Sequence, residues 1–240
     1  MSCQPLPPLD RSRVRALIFD IDGTLSDSDD QMVESIASFL APLASVFPPH
    51  KAARFSRDLV HLIERPGNWF LELLDRLHLD GLLARVLDLR ALRFGKEDLT
   101  AERFPVIPGV IPMLDQLKSR YPLAIVSARN QATTRQFLTA NNLDPYFEVI
   151  LHSQSLPLTK PFPDPLLHAA QVLGVDIQEC LMIGDTATDV KAARAAGAWS
   201  LSVLCGFGRE KELRRAGTHA ILPSTSELAI FLETGEGALP

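Results

Sequence analysis

Apolar residues keep two different rhythms along this chain, and the change between them divides it. Leu17-Ile18-Phe19 is a continuous apolar run that halts at Asp20-Ile21-Asp22-Gly23-Thr24, the pattern of a buried parallel strand (Val14–Asp20) ending in a turn. From Asp29 to Phe104 no such run appears. Met32, Val33, Ile36, Phe39, Leu40 and Leu43 instead recur at helical spacing, as do Leu59, Leu62 and Ile63, then Leu71, Leu74 and Leu77, then Leu82, Leu83, Val86, Leu87 and Leu89. Pro48-Pro49 and Pro66-Gly67 punctuate the stretch. After Pro105–Gly109 the short runs return: Leu123–Val126, Glu148–Leu151, Cys180–Ile183, Ser200–Leu204 and Ala220–Leu222. Helical patterns over Val110–Ser119, Ala132–Ala140, Pro165–Leu173 and Val190–Ala196 separate the first four of these runs and lead into them, and one over Ser226–Phe231 closes the chain.

Repeated strand–helix–strand units predict a parallel sheet with right-handed crossovers. The expected fold class is therefore α/β: a doubly wound, Rossmann-like core of residues 1–28 and 105–240, interrupted after its first strand by a helical insert over 29–104. At 240 residues and 46% hydrophobic the chain has enough apolar material for such a core.

Charge and cysteine usage narrow the partners. A net charge of -5 gives no electrostatic case for nucleic acid or an anionic membrane, which call for clustered basic residues. Cys3, Cys180 and Cys205 are odd in number and widely spaced, which fits a reducing compartment and neither a disulfide framework nor a zinc site. The start lacks the apolar core of a signal peptide and no run reaches the length of a membrane span, so the expected location is cytoplasmic. The six histidines show no ligand spacing. Gly206-Phe207-Gly208 follows a strand, but Lys211 stands where a dinucleotide loop needs its third glycine, so NAD binding is not expected.

The strand ends carry the candidate chemistry. Asp20 and Asp22 follow the first strand, and two carboxylates so close repel unless a cation or shared proton relieves them. Leu123–Val126 runs into Ser127; Cys180–Ile183 runs through Gly184 into Asp185, with Asp189 one helical turn on; Lys160 opens a proline-rich loop between them. In a parallel sheet these groups converge on the rim at the carboxyl ends. Singly, Ser127 and Asp185 have ordinary alternatives as helix caps, Asp189 as a first-turn charge and Lys160 as a solvated loop residue. Jointly they form an oxygen-rich carboxylate set suited to Mg²⁺, beside a hydroxyl and an ammonium suited to a phosphoryl group.

In these four stretches, Phe19–Leu25, Ile125–Ser127, Lys160-Pro161 and Gly184–Asp189, the chain resembles the haloacid dehalogenase-like hydrolases, within them the aspartate-nucleophile phosphatases with a helical cap. The resemblance spans nearly the whole chain and makes 29–104 the cap. It implies that Asp20 attacks phosphorus to form an aspartyl-phosphate and that Asp22 acts as general acid and then base. Ser127 and Lys160 would hold the phosphoryl oxygens, and Mg²⁺ would take a carboxylate oxygen of Asp20, the main-chain carbonyl of Asp22, and Asp185, with Asp189 as ligand or supporting partner. The acid at Asp22 favours phosphate over halide release, since only an alkoxide needs a proton. The strand and loop that follow the fourth motif, Val203–Gly208, resemble those of the phosphoglycolate phosphatase-like members, so a small phosphorylated metabolite, phosphoglycolate first, is the implied substrate. A sugar phosphomutase, a pyrophosphatase and a nucleotidase remain as alternatives. In the insert, Arg65 and Asn68, beside Trp69, are the candidate substrate contacts.

Overall fold

The computed structural model describes residues 9–27 and 105–239. Six strands form one parallel sheet: β1 (Ala16–Phe19), β2 (Leu123–Val126), β3 (Val149–Leu151), β4 (Cys180–Gly184), β5 (Trp199–Val203) and β6 (Ala220–Leu222). Their order is β3-β2-β1-β4-β5-β6. Every residue of β1, β2 and β4 is buried, which is why these strands are apolar throughout and do not alternate.

Alternate strand residues feed two cores. On one face Leu17, Phe19, Leu123, Ile125, Leu181 and Ile183 pack with Val110, Met113, Leu114 and Leu117 of helix α1 (Val110–Leu117). Phe137 and Leu138 of α2 (Gln131–Ala140) join the same face. On the other, Ala16, Ile18, Ala124 and Met182 meet Leu166, Ala169 and Ala170 of α3 (Asp164–Leu173) and Ala192 and Ala193 of α4 (Ala187–Ala196). Small residues on this second face let α3 and α4 lie close to the sheet. Full burial of one Leu, Ile or Phe side chain stabilises the fold by roughly 1.5–3 kcal/mol, so the two cores fix the strand order firmly.

The chain builds outward from β1 through β2 to β3, then returns to the other side of β1 for β4. The crevice beyond the carboxyl ends of β1 and β4 is thus the point where strand order reverses, the place where open α/β sheets bind ligands. The segments at 25–27 and 105–107 are held together: Asp27 N–H donates to the Pro105 carbonyl (2.9 Å) and Ile107 N–H to that of Leu25 (3.0 Å).

Two further α-helices lie among the described residues, α5 (Glu210–Ala216) and α6 (Leu228–Thr234). The apolar pattern predicts no helix at α5. Its one buried side chain, Leu213, joins Val190 and Ile221 in a small separate cluster, so no apolar stripe marks it.

Candidate active site

Asp20 is the first residue beyond β1 and is 7% exposed. Its N–H donates to the Ile183 carbonyl (2.9 Å), which locks it to β4. Its Oδ1 accepts the Ile21 N–H (2.8 Å) and lies 2.9 Å from Lys160 Nζ. The Lys160 side chain is only 4% exposed, and its Nζ donates to Asp189 Oδ1 at 2.7 Å. A buried ammonium between two carboxylates is not the solvated loop lysine of the ordinary alternative. Asp189 is also the N3 partner of a capping box: its Oδ2 accepts from Thr186 N–H (3.1 Å) and Thr186 Oγ1 (2.7 Å). The cap of α4 is therefore Thr186, which leaves Asp185 outside that role.

Asp185 is fully buried. Its Oδ2 accepts the Phe207 N–H at 2.7 Å, while its Oδ1 has no hydrogen-bond partner. The fit around it is close. A Cβ on Gly23 would sit 2.3 Å from Asp185 Oδ2, and one on Gly206 would meet the same oxygen at 2.3 Å and the Gly23 Cα at 2.6 Å. Gly23 also holds φ +66°, so this turn needs glycine on both counts. The Gly206-Phe207-Gly208 loop is thus a brace for a carboxylate.

Ser127, directly after β2, is 4% exposed. It does not cap α2; Asn130 does, accepting the Thr133 N–H at 2.9 Å. Ser127 Oγ instead accepts the Arg129 N–H (3.2 Å), and Ser127 lines a small recess with Lys160. Asp22, a third exposed at its side chain, is held by Arg129: Nη2 donates to Oδ1 at 2.6 Å and Nε to both oxygens at 3.0 Å. Arg129 escaped the sequence, as did the bracing role of Gly23, Gly206 and Phe207. An arginine two residues past a strand-end serine, and a glycine pair after β5, were the only traces of them. Arg65, Asn68 and the expected insert over 29–104 lie outside the described residues.

Electrostatics follow from burial. Burial first, then Asp189 and Asp22, push the Asp20 carboxyl up to about 7 against the opposing pull of Lys160. Burial, then Asp189 and Asp20, raise Asp185 well above the usual carboxylate range. Burial alone would lower the Lys160 ammonium, but Asp189 and Asp20 more than offset it and the group stays charged. Ligand oxygens of Asp20, Asp185 and Asp189 all lie within 4.8 Å of one another. Four carboxylates against Lys160 and Arg129 leave a formal surplus of two negative charges. The orphaned Asp185 oxygen, the raised acids and this surplus all fit a hard divalent cation. Two larger surface hollows, of about 450 and 470 Å³, lie instead around Arg11, Arg15 and Arg120 and around Arg15 and Glu179. Arg15 and Glu179 immediately precede β1 and β4, so the hollows sit at the opposite sheet end from the acids.

Residues 17–203 match the family model described as haloacid dehalogenase-like hydrolase. A phosphoglycolate phosphatase of Neisseria meningitidis is 33% identical over 201 residues, 81% of this chain and 82% of its own length. One from Thiobacillus denitrificans is 29% identical over 241 residues, covering 97% and 99%. The crystal structure of a hydrolase from Pseudomonas syringae superposes with a TM-score of 0.70 at 29% identity, covering 91% of this chain and 98% of that one.

Proposed function

The chain belongs to the haloacid dehalogenase-like hydrolase family, and from that membership we propose that it is a Mg²⁺-dependent phosphatase acting on a small phosphomonoester, phosphoglycolate first. The observation that carries the proposal is the buried set in which Lys160 bridges Asp20 and Asp189 while Asp185 keeps an unpartnered oxygen. Those groups match what a dianionic ester needs before a carboxylate can approach it. The curated relatives named above are phosphoglycolate phosphatases, which supports the substrate class.

Asp20, the main-chain carbonyl of Asp22, and Asp185 would hold Mg²⁺, which when bound draws charge from the phosphoryl oxygens. Asp189 supports these residues, because its oxygens are committed to Lys160 and Thr186. Ser127 and the charged Lys160 bind the remaining phosphoryl oxygens. A carboxylate oxygen of Asp20 attacks phosphorus, the bond from phosphorus to the ester oxygen breaks, and Asp22, entering the step in its protonated form, gives that oxygen its proton. Water then attacks the aspartyl-phosphate at phosphorus and Asp22 takes the proton back, releasing inorganic phosphate and restoring Asp20. The role of the insert at 29–104, with Arg65 and Asn68 recognising the leaving group, rests on the sequence resemblance.

A panel of phosphomonoesters assayed with Mg²⁺ tests this. Inorganic phosphate should appear, with phosphoglycolate among the best substrates by kcat/KM. Isomer formation from a hexose phosphate without net phosphate release would point to a phosphomutase instead.

A further inference from the structure

We infer that Arg129 is the positioning residue for the acid/base Asp22, fixing the orientation of the carboxyl group that exchanges a proton with the leaving group. The inference rests on the phosphatase reading above.

Arg129 is built as a fixed post. Its main chain is tied on both sides: the N–H donates to Ser127 Oγ (3.2 Å) and the carbonyl accepts the Ser153 N–H (2.9 Å). Its guanidinium lies 5.1 Å from the centre of the Phe137 ring, a side chain of the core, and the arginine side chain is only 11% exposed. From there it reaches Asp22 through two nitrogens, at 2.6 and 3.0 Å on Oδ1 and 3.0 Å on Oδ2, and Ser26 Oγ at 3.3 Å. Contact to both oxygens defines the plane of the carboxylate as well as its position.

Asp22 is the more exposed partner. Its side chain is 34% exposed, and its main chain is bridged to Ser26, where Arg129 also places a nitrogen 3.3 Å from the hydroxyl. The guanidinium's contacts to both oxygens set the orientation of the carboxyl group, and proton delivery depends steeply on such alignment. Arg129 also donates its N–H to Ser127, so one residue sets both the acid and a phosphoryl-binding hydroxyl. A lysine would supply the charge without the fork.

The experiment is a leaving-group series. Substituted phenyl phosphates, from 4-nitrophenyl to 4-methoxyphenyl, are assayed with Mg²⁺ as kcat/KM, which reports phosphoryl transfer to the enzyme. With the acid aligned, the wild type should depend only weakly on leaving-group basicity, because a proton is supplied. Arg129→Ala should steepen the dependence: a loss of about 10²-fold for the most basic phenolate, the scale of general acid catalysis, and at least about tenfold less for 4-nitrophenolate, which departs unprotonated. Asp22→Asn should show the same steep slope, and Asp22→Asn/Arg129→Ala should be no steeper than Asp22→Asn alone. Arg129→Lys, which keeps the charge, should fall between, and it carries the test if Arg129→Ala does not fold. A parallel drop across the series, an unchanged series or a faster variant overturns the inference. A partly unfolded preparation lowers all members equally and leaves the slope intact. A wild type that hydrolyses no member of the series would instead sink the phosphatase reading.

Discussion

Withdrawing the divalent cation should make the protein less stable as pH rises, against the habit of carboxylate-rich proteins. Asp20 has a folded value of about 7 against 3.8 for the free side chain. A group raised on folding binds extra protons in the native state, so its contribution is fully present below pH 3.8 and is lost as pH rises through 7. The full span corresponds to on the order of 4 kcal/mol, and about 3 kcal/mol of it falls between pH 5 and 8. At about 2–4 °C per kcal/mol for a chain of this size, Tm in chelator should drop by roughly 5–10 °C across that window from Asp20 alone. Asp185 acts in the same direction. Mg²⁺ competes with those protons, so its stabilisation should be larger at pH 8 than at pH 5, reaching about 2.7 kcal/mol at a hundredfold excess over Kd. Thermal unfolding of wild type and Asp20→Asn at both pH values, in chelator and in Mg²⁺, separates this term from all others by difference. A wild-type Tm that is flat or rises from pH 5 to 8 relative to Asp20→Asn, or a Mg²⁺ shift equal at both pH values, refutes the reasoning.

Other perturbations probe the same site. Lys160→Met removes the ammonium from between Asp20 and Asp189; denaturation at pH 8 in chelator should show a loss of about 3–5 kcal/mol, the cost of stranding buried charge, and turnover should fall below detection. The same variant should lose much less stability at pH 5, where Asp20 can hold a proton. Gly206→Ala places a Cβ 2.3 Å from Asp185 Oδ2, so it should cost about 1–3 kcal/mol by overpacking and weaken Mg²⁺ binding, read by calorimetry.

The strands were legible because central parallel strands are apolar at every position, and β1, β2 and β4 are buried throughout. The polar groups of the candidate site at the rim were legible for a related reason: a strand that stops at a polar residue shows where its carboxyl end lies. Ser127 and Asp185 had capping alternatives that sequence could not dismiss. The structure gives those caps to Asn130 and Thr186. Arg129 was illegible because its meaning lies in a contact with Asp22, 107 residues away in the chain. The Gly206–Gly208 loop showed its glycines but not the carboxylate they admit. Helix α5 buries a single Leu213, too little for any periodicity to register.

The central claim, that Asp20 carries out Mg²⁺-dependent phosphoryl transfer, is met most directly by one measurement. Phosphate release from phosphoglycolate is followed for wild type and Asp20→Asn, with Mg²⁺ and then with chelator. The wild type should release phosphate only with Mg²⁺, and Asp20→Asn should stay at background in both. Release by Asp20→Asn near the wild-type rate, or wild-type release that persists in chelator, would contradict it.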